Sequence, residues 1–270
     1  MVDPTKTTLA RLAEMKQAGT PITMLTAYDA SMAAVLDAAG IDCILVGDSL
    51  GNVIQGRDST VPVTVDHMAY HVECVRRGTR RAMLIGDMPF LSYSSEAVAI
   101  ETARVLMQAG AEMVKLEGGT SVLDTVGRLA ALGVPVCGHL GLTPQSVHQL
   151  SGYRVQARTA EARARLLEEA GALEKAGCAM LVLECIPRLL AAEVAATLTI
   201  PVIGIGAGAR VDGQVLVSYD ALGIGAGRRP RFVRDFMAGS ASMEAAVLAF
   251  IDAVRERRFP TDEESYADPT

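Results

Sequence analysis

Two stretches decide how this chain is read: Cys43-Ile-Leu-Val-Gly-Asp48-Ser49-Leu50 and Met83-Leu-Ile-Gly-Asp87-Met-Pro-Phe90. Each is a short apolar run closed by Gly-Asp. A strand buried on both faces has this near-continuous apolar pattern, which fits a parallel sheet. An Asp at the C-terminal lip of such a strand is out of place in a core. One alone could simply cap the next helix or turn. Two matched lips, about one strand–helix unit apart, can aim two carboxylates at one point. Close carboxylates raise each other's pKa unless a cation lies between them. Ligands that are all oxygen favour a hard ion such as magnesium.

Outward from these stretches, strands and helices alternate. Residues 6–18 have helical spacing, and Gly19 ends them. Ile22–Asp29 reads as the first strand, and Asp29 or Ser31 caps a helix ending near Gly40. After strand 43–48 comes a polar, glycine-marked loop over 51–63, then a helix over 65–77 capped by Thr64. Further strands fall at 82–87, 112–117, 134–140, 179–184 and 200–208, with helices between them. The weakest reading is an eighth strand at Ala221-Leu-Gly-Ile224. A last helix falls near 240–257, followed by an acidic tail containing Asp262-Glu263-Glu264, expected to be loose. Eight such alternations predict a (β/α)8 TIM barrel. The competing doubly wound sheet usually carries a glycine fingerprint after its first strand, and residues 28–33 have none. No linker-like segment interrupts the chain. It is read as one domain over 1–270, with a short N-terminal helix and the loose tail.

Composition narrows the function. The chain has 270 residues, half of them apolar, which is enough to bury a core without disulfide or metal staples. Its net charge is −6 and no basic cluster tracks phosphates, which argues against nucleic-acid binding. The cysteines at 43, 74, 137, 178 and 185 are odd in number and form no CxxC pair. That pattern points to a reducing compartment. No signal-peptide pattern or membrane-length apolar run is present, so a cytoplasmic protein with no membrane partner is expected.

Barrel active sites lie at the C-terminal strand ends. Those ends hold Asp48, Asp87, Lys115 with Glu117, His139 and Glu184. Residues i and i+2 of a strand share a face, so Lys115 and Glu117 point the same way. They read either as a structural ion pair or as a substrate clamp beside a metal. Glu184 follows four apolar residues, and a partly desolvated carboxylate there suits a general base. The plainer alternative is a strand-end residue bonded to a backbone amide. His139 either assists proton transfer or anchors a loop. His67 and His71 have i, i+4 spacing, but Met68 stands where a HExxH motif needs Glu, and a solvated face is expected. Gly204-Ile-Gly206-Ala-Gly208 reads as a phosphate loop or a tight turn.

Seven segments together resemble the ketopantoate hydroxymethyltransferase family. They are Val46-Gly-Asp-Ser-Leu-Gly51, Gly86-Asp-Met-Pro-Phe90, Val114-Lys-Leu-Glu-Gly118, Gly138-His-Leu-Gly-Leu-Thr-Pro-Gln145, Tyr153-Arg-Val-Gln156, Leu183-Glu184 and Ile203-Gly-Ile-Gly-Ala-Gly208. They stand in family order, and the resemblance extends from about residue 5 to about 255. The resemblance implies a magnesium-dependent barrel of the phosphoenolpyruvate/pyruvate type. It implies transfer of a hydroxymethyl group from 5,10-methylenetetrahydrofolate to 3-methyl-2-oxobutanoate, through a magnesium-stabilised enolate. That reaction opens pantothenate synthesis. It also implies roles: Asp48 and Asp87 as metal ligands, with Glu117 supporting the ion through water. Asp48, Ser49, Asp87 and Lys115 would form the 2-oxo acid site, Glu184 the base and His139 an assistant. A homodecamer is implied as well. Two other classes stay open: a magnesium-dependent lyase of the same barrel group, and a non-catalytic phosphate-binding barrel.

Overall fold

A computed structural model describes residues 6–225 and 229–268; the outer ends of the expected 1–270 domain lie outside them. The elements in chain order are α1 (Leu9–Gln17), β1 (Ile22–Thr26), α2 (Ala30–Ala39), β2 (Cys43–Val46), α3 (Leu50–Val53), α4 (Val65–Gly78), β3 (Met83–Asp87), α5 (Glu96–Ala109), β4 (Met113–Glu117), α6 (Leu123–Ala131), β5 (Val136–Gly141), α7 (Ala160–Ala176), β6 (Met180–Glu184), α8 (Arg188–Thr197), β7 (Val202–Ile205), β8 (Gly213–Leu216), α9 (Ser218–Ala221) and α10 (Met243–Arg255). The eight strands pair in parallel, in sequence order, and β8 closes on β1. This is the TIM barrel that the sequence predicts.

Strand alternation makes two cores from one apolar pattern. Outward residues such as Leu84, Val114, Leu116 and Leu181 pack against the helices. Inward residues such as Met83, Ile85, Met113, Cys137 and Met180 fill the barrel. Leu12 and Met15 of α1 close its bottom, and Lys16 Nζ fastens that plug to the Ala195 carbonyl at 2.8 Å and to Asp212. The helix starts follow local chemistry. Asp29, Thr64, Ser95 and Thr159 each accept a bond from a first-turn amide. No helix among the described residues is long and apolar enough to cross a membrane.

Two expectations are corrected. The eighth strand is Gly213-Gln-Val-Leu216, and Ala221 instead ends the short helix α9. Asp212, Gly213 and Gln214 break the apolar pattern there, so the segment reads as a loop. Burial is tolerated because Gln214 Nε2 donates to the Gly208 carbonyl at 2.9 Å. Gly213 lies so near the Ile22 carbonyl that a Cβ would collide with it. The acidic tail is not loose. Phe259 is buried, with its ring 5.4 Å from Phe236 and 6.1 Å from Phe250. Arg234 holds Glu264 through two bonds of 2.8 and 2.6 Å, and Arg163 donates to Asp268 at 2.8 Å. Charge composition marks this segment as solvated; an aromatic anchor and arginine partners override it. Phe259→Ala should therefore cost about 3–5 kcal/mol, the usual range for emptying a buried Phe site. Urea unfolding would show it, and an unchanged midpoint would mean that the tail is loose after all.

Candidate active site

Strand register assembles the site. Asp87 of β3 lies beside Lys115 of β4, and Glu117 beside His139 of β5. Within β4, Lys115 and Glu117 share the inward face that begins with Met113. Glu184 ends β6 on the corresponding face after Met180 and Val182. Asp48 follows β2 by two residues, and its backbone amide donates to Asp87 Oδ2 at 3.3 Å. The inner layer is thus apolar at the bottom and middle of the barrel and ionisable at its C-terminal mouth. All six residues line one cavity of about 390 Å³.

The charges in this cavity are tightly coupled. Lys115 Nζ lies 2.7 Å from Asp87 Oδ1, 3.4 Å from His139 Nδ1 and 4.0 Å from Glu117 Oε1. His139 Nδ1 is 3.3 Å from Glu117 Oε1, and its Nε2 is 3.3 Å from Glu184 Oε2 without alignment for a hydrogen bond. Burial pushes the Asp48 carboxyl well above the carboxylate range; Asp87 and Glu117 add to this, while Lys115 and Gln145 pull it back. Burial also raises Asp87, and Lys115 offsets only part of that. Glu117 goes the other way. Burial alone would raise it, but His139, Lys115 and the Gln145 amide outweigh burial and hold it low. Lys115 is raised despite burial, because Asp87, Glu117 and Asp48 surround it. Burial and Lys115 act to lower His139, but the Glu117 and Glu184 carboxylates beside its ring lift it to about 9.

Glu184 is aimed by its backbone. Its carbonyl accepts from the Leu142 amide at 2.8 Å, and Gly141 lies so close that a Cβ would collide with that carbonyl. The next residue, Cys185, has a left-handed backbone, with φ 48°. Its amide donates to the Ile205 carbonyl at 2.9 Å. Ser49 lines the cavity, with its Oγ 2.9 Å from the Tyr28 hydroxyl. Sequence reasoning missed Gln145. Its side-chain nitrogen donates to Asp48 Oδ2 and to the Met88 carbonyl, both at 2.9 Å. Its backbone amide donates to Glu117 Oε2 at 3.1 Å, and Tyr93 donates to its side-chain oxygen at 2.6 Å. One buried amide thus spans the two acidic groups. Its signal was the end of the Gly138–Gln145 segment, where Pro144 fixes a polar residue at a strand mouth.

The residues fit a hard divalent cation. Fully ionised, the four strand-end carboxyls of Asp48, Asp87, Glu117 and Glu184 would set four negative charges against the two positive ones of Lys115 and a protonated His139, so 4 − 2 leaves an excess of two; Asp58 and Asp220 line the same cavity as further acidic groups. Burial first, and neighbouring carboxylates after it, disfavour the charged forms of Asp48 and Asp87, and a divalent cation would favour them. Among the described residues no three His, Cys, Asp or Glu converge as a closed metal cage. Asp48 and Asp87 together are the open oxygen pair that suits magnesium with water and substrate oxygens completing its sphere. Glu117 is already committed to His139 and Gln145.

Other signals from the sequence resolve differently. His67 caps its own helix, where its Nδ1 accepts from the Thr64 amide at 3.1 Å. His71 is not on a solvated face: it is half-buried and donates to the Tyr28 carbonyl at 2.6 Å. The 204–208 segment packs as a tight turn, with Gly206 under Phe232 and Gly208 against Arg188. All five cysteines are unpaired.

The raised His139 value has a stability consequence. A histidine whose value is higher when folded stabilises the fold fully below its ordinary 6.5, and this contribution is lost as pH rises through about 9. In metal-free protein, wild type should exceed His139→Asn in stability most at pH 6, with the gap narrowing toward pH 9. Denaturant melts at several pH values would check this, and a flat gap would mean that His139 is neutral throughout.

A family model described as "Ketopantoate hydroxymethyltransferase" matches residues 6–262. The "3-methyl-2-oxobutanoate hydroxymethyltransferase" of Shewanella sp. (strain MR-7) is 54% identical over 262 residues, covering 97% of this chain and 99% of that one. The protein of the same name from Shewanella oneidensis is 53% identical over 261 residues, with the same coverage. Among solved structures, 2,3-dimethylmalate lyase, a member of the PEP mutase/isocitrate lyase superfamily, aligns at a TM-score of 0.57 with 19% identity. That alignment covers 82% of this chain and 84% of that one and concerns the fold alone. A near-complete match at more than half identity settles the family: the chain belongs to the ketopantoate hydroxymethyltransferases, a family of enzymes.

Proposed function

We propose that this enzyme transfers a hydroxymethyl group from 5,10-methylenetetrahydrofolate to 3-methyl-2-oxobutanoate, giving 2-dehydropantoate (ketopantoate) in the first step of pantothenate biosynthesis. The names of its relatives support the acceptor and the group transferred. One observation carries the residue roles. Glu184 lines the same small cavity as the Asp48–Asp87–Lys115 cluster, with the His139 ring between it and Lys115.

The cluster binds and orients the 2-oxo acid. Lys115 is a buried cation with donors to spare for the acid's carboxylate or oxo oxygen, and Ser49 offers a hydroxyl beside it. Asp48 and Asp87 would hold magnesium, with Glu117 supporting it through water. When bound, the ion supplies Lewis-acid polarisation of the 2-oxo group. Glu184 then takes the C3 proton, and the C–H electron pair moves toward the C2 carbonyl oxygen. His139, 3.3 Å from Glu184, stabilises the carboxylate before transfer, and Glu184 holds the proton after it. C3 attacks the one-carbon unit, water supplies the hydroxyl oxygen and tetrahydrofolate leaves. Gln145 keeps Asp48 from turning away.

Exchange of the C3 proton with deuterated water isolates the first half of this reaction, because it needs no folate. Glu184→Gln should still bind the 2-oxo acid in the presence of magnesium but lose exchange by on the order of 10²–10⁴-fold. Asp87→Ala should lose binding and exchange together, as should wild type in chelator. Exchange at the wild-type rate in Glu184→Gln would move the base elsewhere, with His139 next in line.

The enzyme is also proposed to be a cytoplasmic homodecamer. Tyr70 on α4 and Val98 on α5 stand exposed on the outer helix layer, where a neighbouring copy would cover them. Light scattering should give ten chain masses, and a monomeric mass at micromolar concentration would count against the assembly.

A further inference from the structure

A second, larger cavity of about 950 Å³ opens beside the first, and Tyr153, Glu184, Pro230 and Phe232 line both. Glu184 therefore stands at the doorway between them. The outer cavity is lined by Arg154, Arg158, Arg229 and Arg231. That is unusual in a chain of net charge −6. Arg229 pairs with Asp235 at 2.9 Å, and Arg231 lies over the Tyr266 ring at 5.9 Å. Among the described residues Arg154, Arg158 and Arg231 meet no carboxylate. All three are exposed, so their charge reaches solvent. The tail that closes this wall is held in place, since the Arg188 amide donates to the Tyr266 carbonyl at 3.0 Å.

The outer cavity is far too large for a five-carbon acid, whose carboxylate has its own cation, Lys115, in the inner one. Its occupant must be long, must place a reactive carbon at Glu184, and must carry anions at its far end. We propose that this arginine-lined vestibule binds the glutamyl carboxylates of the folate donor, with Arg154 and Arg158 as the principal contacts. This deepens the function proposed above and rests on it. Guanidinium groups pair with carboxylates in a planar, two-bonded geometry, which gives direction as well as attraction. A donor anchored by its tail in the vestibule points its one-carbon end through the doorway toward C3.

The test compares tetrahydrofolate with tetrahydropteroate, which lacks the glutamate, as competitors of the donor in the full-length enzyme. Wild type should bind tetrahydrofolate more tightly by roughly tenfold, as expected for two partly exposed charge pairs. Arg154→Gln/Arg158→Gln should lose that preference, and Arg154→Lys/Arg158→Lys should recover part of it. C3 proton exchange, which involves no folate, should be unchanged in both variants. If the Gln variant keeps the preference, or if its KM for the 2-oxo acid rises in place of the donor's, the vestibule does not bind the tail. Absence of C3 exchange in wild type would instead sink the enzymatic reading, and the comparison of the two competitors by direct binding would still decide this inference.

Discussion

The structure depends on one electrostatic constraint: the carboxyl groups of Asp48, Asp87, Glu117 and Glu184 end their strands at the barrel mouth, with Lys115 and His139 as the cations among them. Burying unpaired charge costs several kcal/mol per ion, so such a cluster persists only where the rest of the fold enforces it. Lys115 is the hub, in contact with Asp87, Glu117 and His139 at once. The imbalance is also the source of function. A site with more acidic than basic groups is prepared for a divalent cation, and a half-buried carboxylate, Glu184, beside a protonated histidine is prepared to move a proton.

The enforcement comes from the register of a closed parallel barrel. Each strand contributes alternate side chains to the interior, and closure leaves no edge along which a strand can slip. Packing below the site is ordinary: Met, Ile, Leu and Cys fill the interior, with α1 as a plug. A second brace lies outside the barrel. Asp42 accepts from the Thr23 amide and hydroxyl and from Arg255, tying β1 and the start of β2 to the last helix. Stability is thus concentrated away from the mouth, and the mouth holds the groups whose mutual repulsion the fold must tolerate.

The C-terminal tail joins these two aspects. Its aromatic anchor packs with Phe236 and Phe250 in the helical layer, while Tyr266 reaches the vestibule wall. The same segment contributes to packing and to the shape of the entrance. Tyr153, from the loop after β5, faces it across the doorway and lines both cavities. Two segments distant in sequence therefore shape the approach to Glu184.

Much of this was legible in the residues alone. Apolar runs ending in Gly-Asp, Lys-Leu-Glu, Gly-His or Leu-Glu mark strands whose inner face turns ionisable at one end. Period-two alternation then puts Lys115 and Glu117 on one side with no further information. The helix caps at Asp29 and Thr64 follow from local chemistry, which is why they were readable. What the sequence misplaced depends on distant partners. β8 looked like a loop because Gln214 finds its acceptor only after β7 has turned back through Gly208. The tail looked loose because its acidic residues meet Arg234 and Arg163 from other parts of the chain. Gln145 closes a segment that the sequence marks, but a lone amide after a proline names no role; its place between Asp48 and Glu117 appears once β2, β4 and β5 meet. By itself the sequence determined the strand pattern, the barrel and the types of residue at its mouth, because these are set by neighbours along the chain. Which charges touch, which way each pKa moves and where a second cavity opens were decided by the tertiary structure alone, because electrostatic energy depends on separations and burial that exist only after the barrel closes.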